Sequence, residues 1–356
     1  MTKSKQLELP LEPKARAKAT IAKVIEEKGD FVTHQSGVNM WRRCRYAFHL
    51  QYVERIRRKR KSRPLQFGSI VHKMLEAYAN GDDPFETLDA INIKDMKVFR
   101  AEKEEYGEII DDIRCIMTEY FAYWDEKALM PLRRNKRGAE HKFDIKLFDG
   151  ARLTGRIDEF ARTPNKLTWM VEHKTFGQMP NEDHRWRNLQ SNTYHRVNDI
   201  MGWKPIDGLA WDYIHSKPPT RPQVLKSGKM SQRGIDSLPT RVLETLREHK
   251  LDPRNFKTMM DSVTANRSRY FMRIFTPVKA GVVQRVWDDL IETVHDMVNV
   301  GGNARAKTID KHCMWCDYEA ICRAELQGLD ADYIREREYK DASDEDFYGQ
   351  VPTAEE

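Results

Sequence analysis

No stretch of this chain approaches the roughly 18 consecutive apolar residues that a membrane-spanning helix needs. Its first residues also lack the apolar core of a secretory signal. Cysteine is scarce: there are five in 356 residues, an odd number, at spacings unlike a disulfide-stapled secreted framework. No internal repeat is present. These absences lead us to expect a soluble cytoplasmic protein with reduced thiols, a setting in which clustered cysteines hold metal more often than each other.

What is present is charge, unevenly spread. Charged residues make up 33% of the chain and hydrophobic ones 40%, enough for a real core beneath a wet surface. The formal net charge is only +6, yet residues 55–63 hold seven bases, and residues 341–356 hold six acids and no base. The first run reads as a contact for a polyanion and the second as a solvated tail, although either also fits an ordinary solvated surface. The length allows one large domain with embellishments or two ordinary ones.

Periodicity gives the order of elements. Residues 1–30 are short of large apolar groups and read as a mobile lead. A helix is expected over 36–52, a second from about Ser69 as N-cap through Ala79, and a third over 95–130 with Ile109, Ile113, Ile116, Met117 and Phe121 as its buried stripe. Cys115 in that helix is expected to pack as a small hydrophobe. Then the period drops to two: Phe143, Ile145 and Leu147, next Leu153 and Ile157, next Leu167, Trp169 and Val171, with turn signals at Asp149-Gly150 and Thr163-Pro164-Asn165. A helix over 186–201 and a strand in LAWDYIH follow. A polar insertion over 216–268 carries its own helix near 240–249, and a strand in YFMRIFTPV precedes a last helix over 283–300. The expected architecture is α/β, in α+β order, with one domain over 31–330 and an acidic tail over 331–356.

Side chains two apart on a strand share a face, so Glu172 and Lys174 project together while His173 points the other way. A hairpin centred on Asn165 puts Asp158 opposite Glu172, so Asp158, Glu172 and Lys174 converge. Two carboxylates and an ammonium on a rigid hairpin suit a hard cation such as Mg²⁺, which would polarise a phosphodiester and lower the pKa of a water. The same letters also fit an exposed strand face. His72 on a helix could add an imidazole, and Gln190 and Tyr194, four apart, share a helix face that could meet a phosphate or a base.

Gly68-x-x-x-His72, GRID ending at Asp158, VEHK ending at Lys174 and QSNTY from Gln190 to Tyr194 stand in an order that resembles the RecB-type nucleases of the PD-(D/E)XK superfamily. The similarity spans about 36–332 and looks closest to the iron–sulfur branch, above all phage exonucleases and CRISPR-associated adaptation exonucleases. It departs from the superfamily pattern in having no proline before Asp158. The resemblance implies a restriction-endonuclease-like core, a mixed central sheet flanked by helices. It implies Mg²⁺ or Mn²⁺ held by His72, Asp158, Glu172 and the His173 backbone carbonyl, Lys174 as a catalytic residue, and Gln190 and Tyr194 facing substrate.

The cysteines make a second constellation. Cys313, Cys316 and Cys322 form C-x2-C-x5-C, three thiolates that need a fourth ligand. His312 beside them would complete a structural Zn²⁺ site. The resemblance instead implies a 4Fe-4S cluster held by Cys44, Cys313, Cys316 and Cys322, joining N- and C-terminal segments across about 270 residues. The function expected is a metal-dependent exonuclease acting on single strands or DNA ends, in phage recombination, repair or processing in the host cytoplasm, with a recombinase or annealing protein as a partner. The run over 55–63, Arg133, Arg134, Lys136 and Arg137, and Arg185, Arg187 and Arg196 would track a phosphate backbone. Alternatives are a catalytically weak DNA-binding partner on the same fold, a structure-specific endonuclease, and an enzyme using the cluster for redox or radical chemistry.

Overall fold

The computed structural model describes residues 29–60, 62–95, 100–125, 129–132, 138–230, 235–301 and 304–342, with the backbone alone over 92–95 and 100–106. Along the chain, β1 (Phe31–His34) leads into α1 (Gln35–Arg43), α2 (Arg45–Phe48), a π-helical turn over His49–Val53 and β2 (Ile56–Arg58). Helices α3 (Arg63–Asn80), α4 (Pro84–Asp95) and α5 (Arg100–Trp124) follow. Next come β3 (Met130–Pro131), β4 (Ala139–Phe148), β5 (Ala151–Arg162), β6 (Thr168–Phe176), α6 (Glu182–Trp186), α7 (Leu189–Ile200) and β7 (Gly208–His215). The remainder is α8 (Pro239–Glu248), α9 (Lys257–Ala265), α10 (Arg267–Tyr270), β8 (Phe271–Pro277), α11 (Ala280–Val300), α12 (Glu319–Gln327), α13 (Ala331–Glu338) and β9 (Tyr339–Asp341). By compactness the described residues divide into two units, one drawn from residues 60–145 and 154–289 and one from residues 29–59, 146–153 and 290–342. No helix among the described residues is long and apolar enough to cross a membrane.

The larger unit is an α/β fold with a mixed sheet flanked by helices. Its strand order is β5-β6-β7-β8, with β3 and β4 also paired to β5. The β5–β6 hairpin has the expected register, from Arg162↔Thr168 to Glu159↔Val171, and so turns about Asn165. β6 and β7 are parallel, which requires a crossover, and α6 and α7 supply it. β6 has neighbours on both edges, and Thr168 through His173 are all buried. That explains the apolar run Trp169-Met170-Val171. It also makes the charged Glu172 and His173 that follow costly unless they are paired.

Helices α3, α4 and α5 enclose a core that includes Phe67, Val71, Met74, Leu88, Ile113 and Ile116, with Cys115 fully buried among them. Helix α3 is capped at Ser62, about two turns before the expected Ser69. Ser62 is extended at ψ 152, Pro64 occupies the first turn, and the Ser69 hydroxyl donates to the Leu65 carbonyl at 2.8 Å. Proline in a first helical turn was the better start signal. The insertion over 216–268 is less polar than its composition suggests: Met230, Val242, Leu246 and Val263 form their own small core. Arg241, only 1% exposed, ties α8 to Asp111 and Asp112 of α5 at 2.6 and 3.0 Å.

In the smaller unit the helix expected over 36–52 breaks at Cys44, whose backbone is extended at φ −159 and ψ 112. Residues 331–341, expected to begin the acidic tail, are folded: β9 pairs antiparallel with β2, and Ala331, Ile334 and Tyr339 pack with Tyr46, Leu50 and Tyr318. The rest of that tail, 343–356, and the lead over 1–28 lie outside the described residues. The basic run is partly structural as well. Arg58 donates to the Asp317 carbonyl at 2.8 Å and Lys59 to that of Glu336 at 2.7 Å, while in the larger unit Arg63 pairs with Asp112 at 2.7 Å.

Gly208, first in β7, has no room for a side chain: a Cβ there would lie 2.4 Å from the Thr276 carbonyl oxygen and 2.8 Å from the Trp169 ring. We expect Gly208→Ala to lower the unfolding free energy by about 1–3 kcal/mol in urea titrations, and an unchanged midpoint would contradict this packing.

Candidate active site and cysteine cavity

Three elements of the larger unit deliver charged groups to one place. Asp158 comes from β5, Glu172 and Lys174 from β6, and His72 from α3, with its Nδ1 3.8 Å from Asp158 Oδ2. Past the last ladder pair, Asp158 Oδ2 accepts from the His173 N–H at 3.0 Å, so the carboxylate lies against the strand that carries Glu172. The His72 imidazole also has the His173 backbone within hydrogen-bonding reach. Lys174 Nζ donates to Glu172 Oε1 and, at 3.2 Å, to Gln190 Oε1 of α7. Burial and the neighbouring Asp158 push the Glu172 carboxyl up. For Lys174, burial alone would lower the pKa, but Glu172 and Asp158 outweigh it and hold the ammonium protonated. Burial, with His173 and Lys174 nearby, pushes His72 down to about 4, leaving a neutral imidazole free to act as a ligand.

Other expected residues stand around this centre. Tyr194 is buried with its ring against Phe143, centroids 5.4 Å apart, and its hydroxyl has Gln190 as a hydrogen-bond partner and Glu172 and Asp158 as charged neighbours, so both members of the Gln190–Tyr194 pair border the charged centre. Of the bases expected to track a phosphate backbone, Arg185 donates to the Pro180 carbonyl at 3.2 Å and Arg187 lies 3.9 Å from Asp183. Arg133, Arg134, Lys136 and Arg137 fall outside the described residues.

Two groups were missed. The first is Glu140 of β4, whose carboxylate joins His72 and Asp158 in the one set of three His, Cys, Asp or Glu ligand atoms, among the described residues, that lie within 4.8 Å of one another. Arg156 Nε stands 3.2 Å from it, and burial pushes its pKa up to about 7. The second is a buried network around the His173 side chain. Nδ1 lies 2.9 Å from Asp212 Oδ2 on β7, and Nε2 lies 3.3 Å from Glu159 Oε2 on β5. Arg273 of β8 donates to Asp212 Oδ1 at 2.8 Å and to the Tyr120 hydroxyl at 3.0 Å, and it stacks 4.1 Å from the Trp124 ring centroid. Burial alone would lower the His173 pKa, but the bonds to Asp212 and Glu159 push it up to about 10, so the ring is a cation at neutral pH.

A sequence profile of the PD-(D/E)XK nuclease superfamily matches residues 35–323. The chain belongs to this superfamily. No curated protein matches it. Among solved structures, one titled "Putative exonuclease" from Eubacterium rectale aligns at 12% identity over 85% of this chain and 91% of that one, with a TM-score of 0.40. The protein SSO0001 aligns at 11% identity over 86% and 95%, with a TM-score of 0.29. At that level of similarity neither bears on activity.

The nuclease's smaller unit holds the cysteine constellation. Cys44, Cys313, Cys316 and Cys322, all free thiols, line one cavity of about 330 Å³, together with His312, Trp315 and Tyr318. The extended break at Cys44 and the 3₁₀ turn Lys311–Trp315 bring the thiols to this cavity. Burial pushes the thiols of Cys316 and Cys322 up, and the neighbouring Cys44 adds to it. No three of these sulfurs lie within 4.8 Å of one another. A tetrahedral zinc site, with Zn–S bonds of about 2.3 Å, needs sulfurs under roughly 4 Å apart. Four thiols and the His312 imidazole thus line this cavity without being drawn together as a bound zinc ion would hold them.

Removing one member of a buried ionic network leaves its partners uncompensated. We expect Asp212→Ala to cost about 3–5 kcal/mol of stability in denaturant unfolding, because it strips acceptors from both His173 and Arg273. A midpoint equal to wild type would contradict the network.

Proposed function

We propose that the chain is a divalent-metal-dependent deoxyribonuclease that degrades DNA from its ends. The observation that carries this reading is the convergence of His72, Asp158, Glu172 and Lys174 in a superfamily of nucleases. An imidazole and carboxylates suit Mn²⁺ or Mg²⁺. His72, Asp158 and Glu172 would hold the cation, with the His173 carbonyl as a further ligand. When bound, it supplies polarisation of the scissile phosphate and a water of lowered pKa. Lys174, held in place by Gln190, is the donor that positions the attacking water or steadies developing negative charge. Attack from the ends rests on the motif resemblance to exonucleases. By that resemblance we also place the activity in phage DNA recombination or processing in the host cytoplasm, alongside a recombinase or annealing protein.

Asp158→Ala, Glu172→Ala and Lys174→Ala should each abolish cleavage while DNA binding and folding persist. Wild-type turnover by Glu172→Ala would refute the assignment. Time courses on linear and covalently closed circular DNA test the mode of attack. The proposal predicts short products from linear molecules and little action on circles, and equal rates on both would make this an endonuclease.

For the cysteine cavity we propose a 4Fe-4S cluster on Cys44, Cys313, Cys316 and Cys322, a larger group than zinc with all-thiolate ligands. The four cysteines around one cavity, at the positions the motif resemblance implies, support this choice. Protein purified without oxygen should be brown, with about four irons per chain. Cys44→Ser should lose both colour and solubility, and Cys115→Ser neither. Stoichiometric zinc without iron would overturn it.

A further inference from the structure

We propose that Glu140 is a further ligand of the same cation, an inference that rests on the metal-site reading above. Its carboxylate gathers with His72 and Asp158 at ligand spacing, although the three come from β4, α3 and β5. The backbone at Glu140 is left-handed, at φ +55, a conformation unfavourable for a residue with a side chain. The preceding chain is pressed onto the end of α3, the helix that carries His72. The Gly138 N–H donates to Asn80 Oδ1 at 2.7 Å, and a Cβ at Gly138 would fall 1.9 Å from the Ala79 carbonyl oxygen. Two residues later, at the start of β4, Glu140 holds this left-handed conformation with its carboxylate within ligand spacing of His72 and Asp158.

The competing account is that Glu140 exists to anchor Arg156, 3.2 Å away. Arg156 is nearly half exposed, at 46%, and a pair of that kind returns little stability. It does not explain a strained backbone, nor the approach of a second carboxylate to Asp158. Repulsion between those carboxylates disappears with a divalent cation between them. With an imidazole in the set, Mn²⁺ should bind more tightly than Mg²⁺.

The test is calorimetric titration of Mn²⁺ into the full chain without DNA, together with melting curves in chelator. Glu140→Gln should weaken Mn²⁺ binding by about tenfold or more, since loss of even an outer partner commonly costs that much. Arg156→Gln should bind Mn²⁺ as tightly as wild type or more tightly, because it removes a nearby positive charge. Glu140→Gly should lose Mn²⁺ affinity and yet melt at or above the wild-type temperature in chelator, because glycine adopts the left-handed backbone without strain. A purely structural Glu140 would give the opposite melting shift. Wild-type affinity in Glu140→Gln and Glu140→Gly while Asp158→Asn loses binding would overturn this proposal alone. Equal losses in Glu140→Gln and Arg156→Gln would overturn it too. Undiminished binding by Asp158→Asn would place the cation elsewhere and overturn the underlying site reading with it.

Discussion

The His173 ring is gripped from both neighbouring strands, by Asp212 of β7 and Glu159 of β5, and an imidazole donates from both nitrogens only when it carries a positive charge. Asp212, fully buried, is shared with Arg273 and Tyr120, so the charge beneath β6 is compensated on every side. Such a network is costly if any member is missing and rigid when all are present. Because strand side chains alternate, a His173 fixed on one face leaves Glu172 and Lys174 on the other. The candidate active site inherits its geometry from that grip. Asp158 accepts from the His173 N–H and His72 reaches the same residue's backbone, so both partners from other elements are referenced to this one position.

The smaller unit solves a different problem with the same economy. Its four cysteines are spread from position 44 to position 322. A thiol in the middle of a regular helix would face whatever its turn dictated, but the extended backbone at Cys44 separates α1 from α2. Tyr46, Leu50, Tyr318 and Ile321 pack as a core, with Cys44, Cys316 and Cys322 against it. A cluster bound there would close a long loop, which favours a structural role over a chemical one.

Much of this was legible in the sequence where the signal is local. The turn at Pro164-Asn165 set the hairpin register, and period-two alternation then placed Glu172 and Lys174 together. The buried stripe of α5 and the inert burial of Cys115 followed from helical spacing. What escaped depends on partners distant in the chain. Asp212 sits within the apolar run LAWDYIH, and only its meeting with His173 and Arg273 explains an acid there. Glu140 precedes its strand's first large apolar residue and carries no motif, and its left-handed backbone has no sequence signature such as glycine or asparagine. The bases Arg58 and Lys59 look like a polyanion contact in composition, yet each donates to a backbone carbonyl more than 250 residues away. Residues 331–341 look like a tail because the apolar groups that fix them, Ala331, Ile334 and Tyr339, are sparse and their partners lie near position 46.

The central claim is that His72, Asp158, Glu172 and Lys174 form a cation-dependent hydrolytic centre. The most direct test follows cleavage of end-labelled linear DNA by chelator-dialysed protein as Mn²⁺ is titrated in. The account predicts no cleavage in chelator and a rate that rises over the same concentrations at which Mn²⁺ binds the protein. Cleavage at the full rate in excess chelator would contradict it.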